Sequence, residues 1–334
     1  MPVDIYRRTP EDGLTLAELR LYHQIMDYRA GLGLDPVPLS RSLTTTAGRH
    51  VADVRENFWA EDRAPPKGAN LHSWSDAPYW EDHRKPEAMW EAPARLGTGY
   101  DSAGYEIIAA GQADATAALA AWHASPGHQA VLAQTGVWAS VEFAAIGIGL
   151  DTGYQSNPYG GRVYSVWFGE AADRAGAPPI VGTPRADRIE ATAFDDRVQG
   201  NGGNDRILGL AGDDTLFAGA GRDTLSGGRG DDRLVAGPGP DALAGGPGTD
   251  TFVFRAAAHA DGDRIADFDL ARDRLDLSGI DANANRPGHQ ALDLGPSGSL
   301  AFAHGTLAGE VHGGADFQIE LAGVRHLSPD NLLL

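Results

Sequence analysis

Aspartate recurs at every ninth position along one stretch of this chain: Asp187, Asp196, Asp205, Asp214, Asp223, Asp232, Asp241 and Asp250. Two residues after each stands a large apolar side chain, in turn Ile189, Val198, Ile207, Leu216, Leu225, Leu234, Leu243 and Phe252. A carboxylate is a hard oxygen donor. Several of them, brought into register with turn carbonyls, make a cage that suits Ca2+. Calcium binding is the chemistry this spacing can perform.

Such register needs a particular scaffold. Residues 182–253 divide without a gap into eight nonapeptides, each with aspartate sixth. The x-apolar-x triplet reads as a three-residue strand with one inward side chain, and the six residues around it as a turn. Glycine stands fourth in the last six frames (Gly203, Gly212, Gly221, Gly230, Gly239, Gly248), as a tight turn through positive φ requires. Arg185 and Phe194 take that place in the first two frames, which read as degenerate turns. One nonapeptide cannot bury its single apolar residue, so the frames must stack. A disordered glycine-rich linker has no reason to keep aspartate and an apolar residue in phase.

The frames follow G-G-x-G-x-D-x-apolar-x and resemble the RTX calcium-binding β-roll. The resemblance implies a parallel roll in which two nonapeptides complete one turn and each ion sits between frames n and n+2. Asp205 with Asp223, Asp214 with Asp232, Asp223 with Asp241, and Asp232 with Asp250 then make about four sites. Pairs reaching Asp187 or Asp196 are weaker.

The acidity is global. Asp and Glu number 46 against 27 Lys and Arg, a formal charge of -19, so a nucleic-acid partner is not expected. There is no cysteine, which excludes disulfides, thiolate metal sites and cysteine nucleophiles. No apolar run approaches the length of a transmembrane helix. Met1 to Asp12 lacks the apolar core of an N-terminal secretory signal.

After the repeat, Asp263-Arg-Ile-Ala-Asp267-Phe268 and Asp273-Arg-Leu-Asp-Leu-Ser278 alternate apolar and acidic residues as short strands do. Residues 254–334 resemble the segment that caps the roll in serralysin-type secreted proteins. That implies export to the extracellular space by a type I secretion transporter reading an uncleaved C-terminal signal, and the chain ends Asp330-Asn-Leu-Leu-Leu334. The H-E-x-x-H motif of the serralysin proteases is absent, so their activity is not implied.

Residues 1–175 must carry the specific function, with 176–181, containing Pro178-Pro179, as linker. Leu14–Arg29, Ser42–Asn57 and Ala109–Trp122 read as helices, with a short one starting at His128. Val141–Leu150 and Arg162–Gly169 read as strands, giving an α/β layered domain. There is no nucleophile elbow, phosphate loop or dinucleotide glycine motif. Leu71-His72-Ser73, Gly104-Tyr105-Glu106-Ile107, Ser125-Pro-Gly-His128, and Ile146-Gly-Ile-Gly149 before Val166-Trp-Phe-Gly169 together resemble the CAP superfamily. About 27 residues between Asp76 and Gly104 look like an insertion in it.

The CAP resemblance implies an α-β-α layered domain whose cleft gathers two histidines and two glutamates. His72, Glu106 and His128 match three of these places, while Ser125 stands where the second glutamate falls. His123 or a water would complete the shell. Two imidazoles, a carboxylate and a water suit Zn2+ with an open position, which activates water, or else Glu106 acts as base. Three readings follow, the first being favoured. The chain is a secreted calcium-binding protein whose cleft holds an extracellular lipid, glycan or peptide; or a metal-dependent hydrolase using His72, Glu106 and His128; or a structural or adhesive surface protein.

Overall fold

The computed structural model describes residues 4–7, 13–59, 70–74, 76–79, 85–151, 162–281, 292, 300–312 and 314–334. The chain divides into two units, Met1–Pro178 and Pro179–Leu334.

In the first unit, helix α1 (Leu16–Gly31) starts from a capping box in which Thr15 and Glu18 satisfy each other's backbone N–H groups. Helix α2 (Arg41–Asp53) is capped by Ser40, whose hydroxyl accepts the Leu43 N–H, and it runs on into a π-helical turn, Val54–Trp59. Two short helices, α3 (Glu87–Trp90) and α4 (Ala92–Arg95), lie in the stretch read as an insertion. Their Ala88, Met89 and Ala92 share a buried cluster with Trp74, Tyr79 and Trp167, so this stretch builds core. Strand β1 (Gly104–Gln112), helices α5 (Ala115–Ala124) and α6 (Pro126–Leu132), and strands β2 (Ala145–Asp151) and β3 (Arg162–Gly169) follow. The strands form an antiparallel sheet in the order β1-β3-β2.

Two local expectations are corrected. Ala109–Gln112 are strand, not the start of a helix, because Ala109 and Ala110 pair with Tyr164 and Val163; α5 begins only where Asp114 accepts the Ala117 N–H. Sheet pairing outweighs alanine's helix preference here. Likewise β2 starts at Ala145 rather than Val141.

Gly147 and Gly149 let α2 rest directly on β2. A Cβ at Gly147 would lie 2.1 Å from the carbonyl carbon of Leu43, and one at Gly149 2.4 Å from that of Ala47. Gly149→Ala must push helix from strand, and we expect a loss of about 1–3 kcal/mol, read as a lowered melting temperature of this unit. An unchanged melt would show that the contact is soft.

The second unit is a solenoid with two parallel faces. One sheet runs through Ile180–Val181, Arg197–Gln199, Thr215–Phe217, Arg233–Val235, Thr251–Val253, Arg274–Asp276 and Leu332–Leu333. The other runs through Arg188–Glu190, Arg206–Ala211, Thr224–Arg229, Ala242–Ala244, Asp263–Ile265 and Phe317–Leu321, ending in an antiparallel hairpin, Leu300–Ala303 with Thr306–Gly309. Within the repeats neighbours are two nonapeptides apart: Leu216, Leu234 and Phe252 stack on one face, Ile207, Leu225 and Leu243 on the other. All are buried. The core continues past the repeats, since Ile265 pairs beyond Leu243 and Leu275 beside Phe252. Ile180 and Val181, expected as linker, instead pair with Val198 and Gln199.

Candidate functional site

Glu106 lies on β1 and is buried, with both oxygens engaged. Oε1 faces His50 Nδ1 at 2.5 Å and accepts the Ser165 hydroxyl at 2.5 Å, while Oε2 faces His72 Nδ1 at 2.9 Å. Ser165 in turn accepts the Trp167 indole N–H at 2.9 Å. His50, on α2, stacks on Trp74 and turns its other nitrogen to the Ser73 carbonyl at 3.1 Å. Carboxylate and carbonyl are both acceptors, so both ring nitrogens of His50 carry protons and the ring is a cation.

The electrostatics agree. Burial pushes the Glu106 carboxyl up, but His50 and His72 outweigh it and hold it at about 2. Burial pushes His50 down, and Glu106 reverses this to a net rise. Burial, then repulsion from His72, lowers His128 to about 4, so its imidazole is neutral at pH 7.

His72, Glu106 and His128 are thus brought together, the two imidazole centroids 5.9 Å apart. With Ser125 they line one side of a cavity of about 510 Å³ whose other walls include Trp90, Tyr105, Trp138, Met89 and Val137. His123 packs against Tyr28 with the rings tilted by 41°, and it is not among the described lining residues. Glu106 departs from the expected role of third metal ligand or free base, because His50, Ser165 and His72 take its oxygens. It acts as the carboxylate that orients His72. With both Glu106 oxygens taken in this way, the expected zinc set of His72, Glu106 and His128 has no free carboxylate oxygen to offer a metal. His50 escaped sequence reading because no motif marks it. Its only signal was a histidine among Leu43, Ala47 and Val51 on one helix face.

In the second unit the aspartates form a hydrogen-bonded ladder. The Asp187 N–H donates to Asp205 Oδ1 at 2.9 Å, Asp196 to Asp214 at 2.8 Å, and Asp205 to Asp223 at 2.7 Å. Asp214 donates to Asp232 and Asp223 to Asp241 at 2.9 Å, and Asp232 to Asp250 at 3.0 Å. The other oxygens divide the rungs. Oδ2 of Asp187 and Asp196 is held by the backbone and hydroxyl of Thr183 and Thr192. Oδ2 of Asp241 accepts the Gly237 N–H at 3.2 Å. Oδ2 of Asp205, Asp214, Asp223, Asp232 and Asp250 is buried with no hydrogen-bond partner among the described residues.

A profile of the RTX calcium-binding nonapeptide repeat, in four copies, matches residues 181–216 and again 217–252. Residues 181–252 are RTX calcium-binding repeats.

Calcium fits them on physical grounds as well. Burial, together with neighbouring carboxylates, raises Asp214 to about 8, Asp250 to about 7 and Asp232 and Asp241 to about 6. A dication supplies the counter-charge these RTX carboxylates need, and the unpartnered oxygens are hard donors of the right kind. Asp205, Asp214, Asp223, Asp232 and Asp250 would hold it through these open oxygens, with Asp241 between them giving one oxygen to the Gly237 N–H, whereas threonine already takes Oδ2 of Asp187 and Asp196. A Cβ at Gly209, Gly227 or Gly245 would come within 2.2 Å of Oδ2 of Asp214, Asp232 or Asp250, so glycine opens each turn on that edge.

The chain is also similar to solved structures. They include the AlgE6R3 subunit of the Azotobacter vinelandii mannuronan C5-epimerase, at 32% identity over 46% of this chain and 81% of that one, TM-score 0.32. Its AlgE6R2 subunit matches at 32% identity over 47% and 92%, TM-score 0.28. An outer surface protein from Borrelia burgdorferi matches at 19% identity over 49% and 96%, TM-score 0.32. Comparison with curated protein sequences finds no match. No helix among the described residues is long and apolar enough to cross a membrane.

Proposed function

We propose that this is a secreted protein whose RTX repeats fold on meeting extracellular calcium and whose N-terminal unit, a CAP-like domain, binds an apolar ligand in the Trp90–Trp138 cavity. The ladder of buried, unpartnered carboxylate oxygens carries the first part. Unneutralised, it opposes folding in a low-calcium cytosol, which suits export of an open chain by a type I transporter reading a C-terminal signal within 254–334. The cavity supports the second part. Its walls are mostly aromatic and aliphatic, His128 among them is neutral, and Glu106, the one carboxylate among the described lining residues, is saturated. The engagement of both Glu106 oxygens favours this binding reading over a hydrolase that uses Glu106 as ligand or base.

Trp90 and Trp138 line the cavity, so intrinsic fluorescence reports on its occupant. The calcium-loaded full chain, titrated with a C16 fatty acid below its micelle concentration, should show saturable quenching. Trp138→Ala should weaken binding ten-fold or more, since losing one buried aromatic contact costs about 1.5–3 kcal/mol. No saturable change, or equal binding by the variant, would remove the apolar-ligand reading.

A further inference from the structure

The carboxylate ladder does not stop where the repeats stop. The Asp241 N–H donates to Asp263 Oδ1 at 2.6 Å, and the Asp250 N–H to Asp273 Oδ1 at 3.0 Å. The rung spacing widens from 18 residues to 22 and 23, so neither aspartate falls in nonapeptide phase, and the matched repeats end at residue 252.

The two edges end differently. Oδ2 of Asp273 accepts the Asp269 N–H at 2.8 Å, from four residues back, the same closure that Thr192 gives Asp196. That edge is shut at its finish, where both oxygens of Asp273 are taken. On the other edge Thr183 shuts the start at Asp187, but the finish is open. Asp263 is 1% exposed, its Oδ1 is taken by the ladder, and its Oδ2 has no hydrogen-bond partner among the described residues. Asp261 alongside is exposed, and its Oδ1 accepts the Gln318 N–H at 3.2 Å. Asp263 therefore has the environment of Asp205 and Asp223, two RTX aspartates of its own edge, and not that of Asp187 or Asp241, whose Oδ2 is already taken. A buried carboxylate with one oxygen unsatisfied is relieved by a proton or by a counter-ion.

We propose that Asp263 is a calcium ligand, closing a site with the Asp241 turn that lies outside the nonapeptide frames and fastens the segment after the repeats to the roll. The proposal rests on the calcium reading of the RTX repeats. It makes the last turn of this edge a calcium-dependent joint instead of a passive cap.

The test is the calcium stoichiometry of the full chain at saturation, by flow dialysis, for wild type, Asp263→Asn and Asp261→Asn. Asparagine keeps an oxygen for the Asp241 N–H while removing the charge, and Asp261→Asn makes the same charge change at an exposed neighbour. Asp263→Asn should bind one ion fewer than wild type, and Asp261→Asn the same number. Asp263→Ser is a second variant in case the first folds poorly, and it should lose the same single ion while retaining the circular dichroism gain of the repeats. Wild-type stoichiometry in both Asp263 variants overturns this site and leaves the RTX sites standing. A wild type that binds no calcium overturns both.

Discussion

Held in chelator, the repeat unit should gain β-structure as the solution is acidified from pH 8 to pH 5, and at pH 8 the same gain should require calcium. The rungs whose pKa is raised contribute stability that is fully present below the unfolded value near 3.8. It is lost as pH rises through about 6 for Asp232 and Asp241, about 7 for Asp250 and about 8 for Asp214. Counting only one pH unit for each of the four, well under their shifts, the loss is about 5 kcal/mol. A whole domain is stable by only ~5–15 kcal/mol, so such a loss can unfold the solenoid. Four calcium sites at ten times Kd return about 1.4 kcal/mol each, close to 6 in all, and so offset it. Protons and calcium are in this sense interchangeable. Far-UV circular dichroism against pH, with and without millimolar calcium, decides the matter; identical spectra in chelator at pH 5 and pH 8 would refute it. Asp214→Ala with Asp232→Ala should blunt the calcium response and leave less for acid to restore.

The second large effect is in the first unit. Glu106→Ala should destabilise it by about 3–5 kcal/mol, because it strands the buried His50 cation without its counter-charge. For a unit of this size that lowers the melting temperature by about 10 °C. The wild-type pair has opposite pH limits. Glu106, held low, contributes stability present above its unfolded value and lost as pH falls through about 2. His50, held high, contributes stability present below its unfolded value of 6.5 and lost as pH rises through its raised one. Differential scanning calorimetry of Glu106→Ala beside His72→Ala is the measurement. His72 is partly exposed, so its loss should cost less; equal and small shifts for both would show that the buried pair does not hold the unit together.

The repeats could be read from the chain because one residue type recurs in one phase, and that phase is the geometry: two nonapeptides per turn, aspartates on edges, one apolar residue inward. The reading ended at Phe252 because the extra residues around the 3₁₀ turn Ala257–His259 break the phase without breaking the ladder, which resumes at Asp263 and Asp273. Motif matching brought His72, Glu106 and His128 to one cavity, yet could not show how Glu106 spends its oxygens. That depends on His50 and Ser165, which come from α2 and β3 and meet only in three dimensions. Ala109 and Ala110 illustrate the converse: locally helical residues made strand by partners some fifty positions away.

The two-nonapeptide turn also restricts how the solenoid can change in length. Odd and even frames serve opposite edges, and among the described residues the odd edge ends in an open carboxylate at Asp263 while the even one is shut at Asp273. Removing a single frame would exchange the edges, so that every later turn, cap included, would meet the wrong neighbour. Removing two in succession preserves parity and leaves each rung facing its own kind. Growth and loss of the roll are thereby quantised in steps of one full turn.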